Sequence, residues 1–407
     1  MVSKEENDLL TQVGPGTPLG EALRRYWIPF LLPDEVGEPD GDPVRVRLLG
    51  ENLVAFRDTE GRIGLLDEFC AHRGASLFYG RNERSGLCCI YHGWKYDSAG
   101  TVLETPNEPL PRVYEGKLKL RAYPTREAGG AVWAYLGPPA HMPPFPAFPW
   151  NTRRHVRAKK VWLDCNYLQS IEGGVDSSHV SILHRASVAV SQGQLVTRDS
   201  APRIDMQDMP YGFRYAALRE ADDGQVYVRI TPFMMPWYTI VPIPSDLTQA
   251  AHAWVPIDDE RNWVFTFNWN ADDSPLPSQE STHEYEMADR FRKRRTRANN
   301  HLQERDSMRA GHWSGIPLIP DQDATVQESM EPVFDRSREH LGRADLAIVR
   351  MRSLLLGAIQ AVKRGSDPLG VAGGESYERI RSEAMVVPAG TEWTELGLTP
   401  QSATIGS

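Results

Sequence analysis

Along residues 44–136, short apolar runs alternate with Gly- and Asp-rich breaks, covering 44–49, 52–58, 63–68, 94–97, 117–123 and 131–136. Runs of this length, broken this often, predict the strands of a small antiparallel β domain. Ahead of them, Thr17 can cap and Pro18 suits a first helical position, so a helix is expected to start there and continue through 21–27. Behind them, the prolines of 137–149 exclude both helix and central strand and mark the clearest domain boundary. Further on, 166–184 reads as partly helical, 212–218, 226–232 and 263–269 as strands, and 281–297 and 344–364 as longer helices. The pattern predicts an N-terminal helical segment (1–40) packing on the second domain, a β domain (41–137), a Pro-rich linker (138–150) and an α+β domain with a mostly antiparallel sheet (151–370). The tail 371–407 shows little periodicity and is expected to be loosely ordered.

Bulk properties narrow the function. A chain of 407 residues can hold two or three domains, and its net charge of −9 argues against a nucleic-acid partner. Its one basic run, 292–297, reads as a solvated helix face. Apolar stretches such as 353–359 are too short to span a membrane, and the charged opening lacks a secretory apolar core, so a cytoplasmic location is expected. The stretch Gly14-Pro-Gly16-Thr-Pro-Leu-Gly20 mimics a dinucleotide fingerprint but follows no strand and contains two prolines. Nicotinamide and flavin chemistry is therefore expected on another polypeptide.

Four cysteines are too few for a disulfide framework, and three of them lie between Cys70 and Cys89, beside histidines. Cys70-Ala-His72 is followed, after sixteen intervening residues, by Cys89-Ile-Tyr-His92. A tetrahedral zinc would accept the same ligand types. Zinc-finger spacing, however, keeps cysteines together and histidines together, whereas each loop here mixes them. Cys-x-His with Cys-x-x-His is the Rieske pattern, in which two cysteines hold one iron and two histidines the other. Gly74 and Gly93 allow tight loops, Arg73 and Trp94 can pack over the cluster, and Cys88 reads as a strand residue.

A second constellation lies downstream. His179 and His184 are five residues apart, which on an ideal helix separates them by about 140°. They can share one ion only if the helix ends or bulges between them. Two histidines and one carboxylate on one side of an iron leave open positions for oxygen and substrate. Cys165, in contrast, reads as a small core residue.

Glu68-Phe-Cys-Ala-His-Arg-Gly-Ala-Ser-Leu and Cys89-Ile-Tyr-His-Gly-Trp-Lys-Tyr-Asp resemble the Rieske domain of aromatic-ring-hydroxylating oxygenases. Glu172, Asp176, His179 and His184 match the catalytic-domain motif of that family. The wider resemblance is to the phthalate 4,5-dioxygenase-like group, from Val13 to about residue 370, including Gly315-Ile-Pro-Leu-Ile-Pro-Asp-Gln-Asp-Ala-Thr-Val-Gln-Glu-Ser-Met and Asp335-Arg-Ser-Arg-Glu-His-Leu-Gly342.

The resemblance implies a small all-β Rieske domain joined to a helix-grip catalytic domain, with a Rieske two-iron two-sulfur cluster and a mononuclear non-haem Fe(II). Asp323 becomes the third iron ligand by similarity, with Asp321 and Glu328 as rivals. A homotrimer is implied, with the cluster of one chain beside the mononuclear iron of its neighbour. Asp176 is the expected bridge between them, pairing with His92 or His72, while Asn166 and Glu172 are expected to support the iron site. Electrons would come from a separate NADH-dependent reductase carrying flavin and a plant-type two-iron cluster. Dioxygen would be used to hydroxylate an aromatic acid, by ring dihydroxylation or by monooxygenation and O-demethylation. Arg229, Arg214 and Arg203 are candidates for binding the substrate carboxylate, with Arg229 first because Met234-Met-Pro-Trp-Tyr follows it. The alternative is a Rieske electron carrier whose second domain only binds a ligand or partner.

Overall fold

The structure is a computed structural model that describes residues 2–110, 113–187, 195–243, 247–276, 284–371 and 377–397. The chain opens with a helix the sequence reading missed, Lys4–Thr11, closed by a reciprocal cap: Ser3 Oγ accepts from Glu6 N–H at 3.1 Å and Glu6 accepts from Ser3 N–H at 2.9 Å. The helix expected from Pro18 does start there, under the Thr17 cap, but it ends at Leu23 instead of running to residue 27. Trp27–Leu31 leaves as a wholly buried strand that pairs with Ala131–Tyr135. Tertiary burial of a β-prone Trp-Ile-Pro-Phe-Leu run outweighs helix continuation there. Both N-terminal helices pack on the Leu346–Lys363 helix.

The β-rich region forms a three-stranded sheet (Val44–Leu48, Glu51–Arg57, Ile63–Asp67) and a four-stranded one (Arg81–Glu83, Gly86–Cys88, Lys95–Tyr96, Val102–Glu104). Strand Glu51–Arg57 is buried on both faces. Val54 and Phe56 join the core beneath the cysteine loops, while Leu53 and Ala55 join the main core of the molecule. The strand expected over 117–123 is reduced to two isolated bridges, Thr101 with Lys119 and Leu66 with Ala122. The proline-rich stretch stays out of the sheets and is pinned by its aromatics: Phe145 packs on Trp133 at 5.5 Å and Phe148 stacks on Trp150 at 4.6 Å.

The second half is built on an eight-stranded antiparallel sheet. Its order is Val156–Leu163, Asn262–Asn270, Thr248–Pro256, Tyr238–Val241, Val226–Met234, Gly212–Glu220 and Arg203–Met209. Tyr238–Val241 pairs with only the far end of Val226–Met234. The free edge at its near end is taken by Glu383–Val387, which corrects the expectation of a loosely ordered tail over 377–397. Trp393 is also buried there. Residues 398–407 of that tail lie outside the described residues.

The helix expected over 281–297 is absent across 284–296, and 281–283 lie outside the described residues. Its basic side chains do not share one solvated face, because Lys293 and Arg295 are buried while Arg292, Arg294 and Arg297 are exposed. Lys293 pairs with Glu328 at 2.5 Å, Arg295 with Glu286 at 2.9 Å, and Arg292 lies 3.6 Å over the Trp162 ring. Individual tertiary partners hold this segment in an irregular path.

One helix, Tyr167–Gly174, is pressed between the sheet and the Ile319–Ser329 helix. Gly173 and Gly174 make that approach possible: a Cβ on Gly173 would stand 2.8 Å from Gln327 Nε2, and one on Gly174 2.0 Å from Trp254 Cη2. Gly174→Ala therefore sets two effects against each other. Helix propensity alone would stabilise by up to about 1 kcal/mol, whereas overpacking a buried ring costs about 1–3 kcal/mol. Trp254 is 6 % exposed and cannot swing into solvent, so the variant is predicted to melt at a lower temperature than the wild type. A higher melting temperature by calorimetry would mean that the close packing is not limiting.

Candidate metal centres

The two cysteine–histidine loops are built alike. In the first, Cys70 N–H donates to Ala75 C=O at 2.9 Å and Gly74 N–H returns to Cys70 C=O at 2.8 Å. In the second, Cys89 N–H donates to Trp94 C=O at 2.8 Å and Gly93 N–H returns to Cys89 C=O at 2.9 Å. Each closing glycine is left-handed, with φ of +72° at Gly74 and +77° at Gly93. Gly93 also lies where a Cβ would meet Pro106 Cγ at 2.6 Å.

Across the loops, like faces like. The Cys70 and Cys89 thiols are buried side by side, and burial together with the neighbouring Cys70 raises the Cys89 thiol pKa. The His72 and His92 rings sit 4.5 Å apart nearer the surface. A Cys pair at one end and a His pair at the other is the donor set a binuclear cluster requires, two thiolates for one iron and two imidazoles for the other. Tyr96 Oη lies 3.1 Å from Cys70 Sγ and also accepts from Ala71 N–H at 3.1 Å. Trp94 stacks flat on His72 at 4.9 Å, and Arg73 lies over the Tyr91 ring at 5.3 Å. Cys88 is a strand residue opposite Lys95.

The second set forms where the chain leaves the Tyr167–Gly174 helix. That helix ends at Val175, and Asp176 accepts from Ser178 N–H at 2.7 Å to open the next turn. The short helix His179–Ile182 stops between the two histidines, the interruption their spacing required. The His179 and His184 rings then come to 5.0 Å, and their Nε2 atoms lie 3.5 and 3.0 Å from Asp323 Oδ1 on the facing Ile319–Ser329 helix. Among the described residues this is the one such set whose potential ligand atoms all lie within 4.8 Å of one another. Two imidazoles and one carboxylate fit a divalent iron with positions to spare. Burial disfavours charge on Asp323, but His184 and His179 hold it below the ordinary carboxylate range.

The rival carboxylates point elsewhere. Asp321 is fully buried and accepts from Glu286 N–H at 2.9 Å, and burial raises its pKa to about 6. Glu328 pairs with Lys293 and accepts from Asp164 N–H at 3.0 Å. Asp176 does reach the set, with Oδ2 3.3 Å from His179 Nδ1.

Asn166 and Glu172, expected near the iron, are not brought there. Asn166 caps the Tyr167–Gly174 helix through Leu168 N–H at 3.0 Å and donates to Thr11 and Asp259 C=O. Glu172 is clamped by Arg336 at 2.8 and 2.9 Å and by Arg352 at 2.7 Å.

The three arginines separate. Arg203 is exposed, and Arg214 is spent on Gln207 and on the C-terminal backbone at Leu396 and Thr394. Arg229 is 4 % exposed, and its charge opposes protonation of His179. Strand alternation and register put it on the same sheet face as Thr231, Phe233, Thr239 and His252.

Three contributors escaped the sequence reading. Arg219 is 1 % exposed and donates to Ser177 C=O at 2.8 Å and Asp199 C=O at 3.0 Å, tying down the histidine segment. His252 presents an imidazole whose charge acts on Asp323. Gln322 Oε1 lies 2.7 Å from His184 Nδ1. Only Gln322 carried a local signal, its place beside Asp323.

Comparison with known proteins divides the chain into the same two parts. Residues 26–123 match the model of the Rieske [2Fe-2S] domain, and 134–405 that of the LigXa C-terminal domain like family. The chain is 40 % identical to the phthalate 4,5-dioxygenase oxygenase subunit of Pseudomonas putida, covering 97 % of this chain and 94 % of the relative. It is 33 % identical to the 5,5'-dehydrodivanillate O-demethylase oxygenase subunit of Sphingobium sp., covering 90 % and 83 %. The solved structure of NdmA from Pseudomonas putida CBB5 superposes with a TM-score of 0.62 at 20 % identity, covering 88 % and 96 %, a likeness of fold.

Asp323→Ala is predicted to lower iron from about three to about two per chain while leaving the cluster's visible absorption intact, since the two sites share no ligand. Asp321→Asn keeps about three. Metal analysis with optical spectra separates the cases. Substrate-dependent oxygen uptake surviving in Asp323→Ala would remove that residue from the site.

Proposed function

The chain belongs to the aromatic-ring-hydroxylating Rieske oxygenases, as an oxygenase subunit of the phthalate 4,5-dioxygenase-like group, and we propose that it hydroxylates an aromatic acid using dioxygen and NADH-derived electrons. The observation carrying this reading is the meeting of His179 and His184 Nε2 at Asp323 Oδ1, in a chain that also pairs two thiols and two imidazoles across two loops.

Cys70 and Cys89 would hold one cluster iron and His72 and His92 the other, while His179, His184 and Asp323 would hold the mononuclear Fe(II). When bound, the cluster supplies electrons singly and the mononuclear iron supplies the redox chemistry that dioxygen requires. The rest falls to side chains. Asp176 accepts from His179 Nδ1–H, which fixes that tautomer and leaves Nε2 for ligation. In a homotrimer, Asp176 also meets His92 or His72 of the partner subunit.

Exposed apolar side chains support that docking. Phe69, Tyr79, Ile90 and Tyr91 surround the cluster loops and are 44–62 % exposed; Ile182, Trp313, Val326 and Met330 are exposed around the histidine segment and the Asp323 helix. A separate reductase with flavin and a plant-type cluster is the electron source, in keeping with the oxygenase-subunit relatives and the missing dinucleotide fingerprint.

Arg229 anchors the substrate carboxylate by bidentate hydrogen bonds, its charge undiluted by water. Phe213 and Phe233, 5.0 Å apart on the same sheet face, exclude water beside a flat ring. Hydroxylation of ring carbons gives a cis-dihydrodiol or a phenol. Hydroxylation of a methoxy carbon gives a hemiacetal that loses formaldehyde, the outcome the demethylase relative makes relevant.

Incubating a panel of aromatic acids with NADH and a surrogate reductase, with product masses as the readout, tests the reading directly. Absence of oxygenated product from every carboxylated ring would defeat it. Asp176→Asn should retain both metals yet lose about 10- to 100-fold in single-turnover product formation, and undiminished turnover would exclude the bridge. Arg229→Met should raise KM for the acid by about 10- to 100-fold, the worth of one buried charge-assisted bond. Unchanged KM assigns the carboxylate to another group.

A further inference from the structure

Gln322 is fully buried on the helix that carries Asp323, and both ends of its amide are engaged. Its Nε2 donates to Ile316 C=O at 2.6 Å, and its Oε1 lies 2.7 Å from His184 Nδ1. A backbone carbonyl can only accept. It therefore forces the NH2 of Gln322 toward Ile316 and the amide oxygen toward the imidazole. Reversing the amide would set oxygen against oxygen. An amide oxygen also only accepts, so His184 must carry a proton on Nδ1, and in its neutral form it turns a bare Nε2 toward Asp323, 3.0 Å away.

We propose that Gln322 is the positioning residue for His184, fixing its ring and tautomer so that Nε2 is ready for metal. The acceptor-only carbonyl of Ile316 dictates, through one amide, which nitrogen of His184 can ligate. Ile316 is itself 1 % exposed and held from both sides by Ser314: Ile316 N–H donates to Ser314 Oγ and Ser314 Oγ–H donates to Ile316 C=O, each at 3.2 Å. The two histidines are thus supported by different chemistry. His179 leans on the carboxylate of Asp176, whose side chain is 20 % exposed, while His184 leans on a sealed neutral amide. This division leaves the charged support at the accessible edge and keeps a second anion out of the interior, where burial would be costly.

The inference rests on reading His179, His184 and Asp323 as a metal site, and the test keeps the two apart. The mononuclear metal is removed by chelation from protein with its cluster intact, and Co(II) is titrated in, followed by its visible d–d bands. Gln322→Leu should bind Co(II) about 10- to 100-fold more weakly than the wild type, the usual worth of an orienting partner. Gln322→Glu, singly protonated, can still donate to Ile316 C=O and accept from His184 Nδ1, so its affinity should stay within about threefold of the wild type. Equal affinity in Gln322→Leu and wild type overturns the role, and so does a Glu variant as weak as the Leu variant, because then bulk alone matters. Asp323→Ala is the control: strong Co(II) binding by it would sink the site reading itself, whatever the Gln322 variants do.

Discussion

A carboxylate and two imidazoles brought together with most of their surface withdrawn from water carry a desolvation cost that their own contacts offset only when the geometry is held from outside. In this protein the holding is done by backbone approach. The Tyr167–Gly174 helix can lie against both Trp254 and Gln327 because Gly173 and Gly174 present no Cβ. That contact sets the distance between the histidine segment and the Asp323 helix. Every other feature of the site either fixes this wedge or uses it.

The fixing is electrostatic and buried. Glu172, on the wedge helix, takes both Arg336 and Arg352, which are 0 % and 4 % exposed, and Arg352 also pairs with Glu339. Breaking one partner from such a pair costs about 3–5 kcal/mol, because the other charge stays buried. Asn166 closes the N-terminal end of the same helix and ties it to the Lys4–Thr11 helix through Thr11 C=O at 3.0 Å. Arg219 fastens the chain beyond its C-terminal end. The N-terminal segment is thus part of the foundation on which His179, His184 and Asp323 meet. Arg24, Glu51 and Arg121 join it to the cluster-bearing sheets, with Arg24–Glu51 at 2.9 Å and Arg121–Glu51 at 2.8 Å.

How much of this could be read from the sequence follows from the range of the interactions. The pairing of the two Cys–His loops was legible because each loop is local, with its Cys, His and left-handed Gly within a few residues. The interruption between His179 and His184 was legible for the same reason, since their spacing cannot work on an unbroken helix. Asp323 was reached only through resemblance. Gln322 went unseen, since its partner lies 138 residues away and its one local mark is its place beside Asp323. The expected 281–297 helix failed where charge pattern was taken for a solvated face, while Lys293 and Arg295 are themselves buried against Glu328 and Glu286. The Glu383–Val387 strand escaped because its five residues are strand-forming only against the free edge of Val226–Met234.

Asn166 and Glu172 show why polar residues in a catalytic motif need a spatial test. Both sit on the helix leading to the ligands, and both are buried or nearly so, as functional groups often are. Yet none of the side-chain hydrogen bonds described for them reaches His179, His184 or Asp323; they go to Thr11, Asp259, Leu168 and the two arginines. Their chemistry is to stiffen. The contrast with Asp176 is instructive, because it lies only four residues beyond Glu172 yet past the helix end, where the turn aims its carboxylate back at His179. One turn of chain therefore divides two acidic residues into a structural anchor and a partner of His179, and the helix terminus at Val175 is what makes the division.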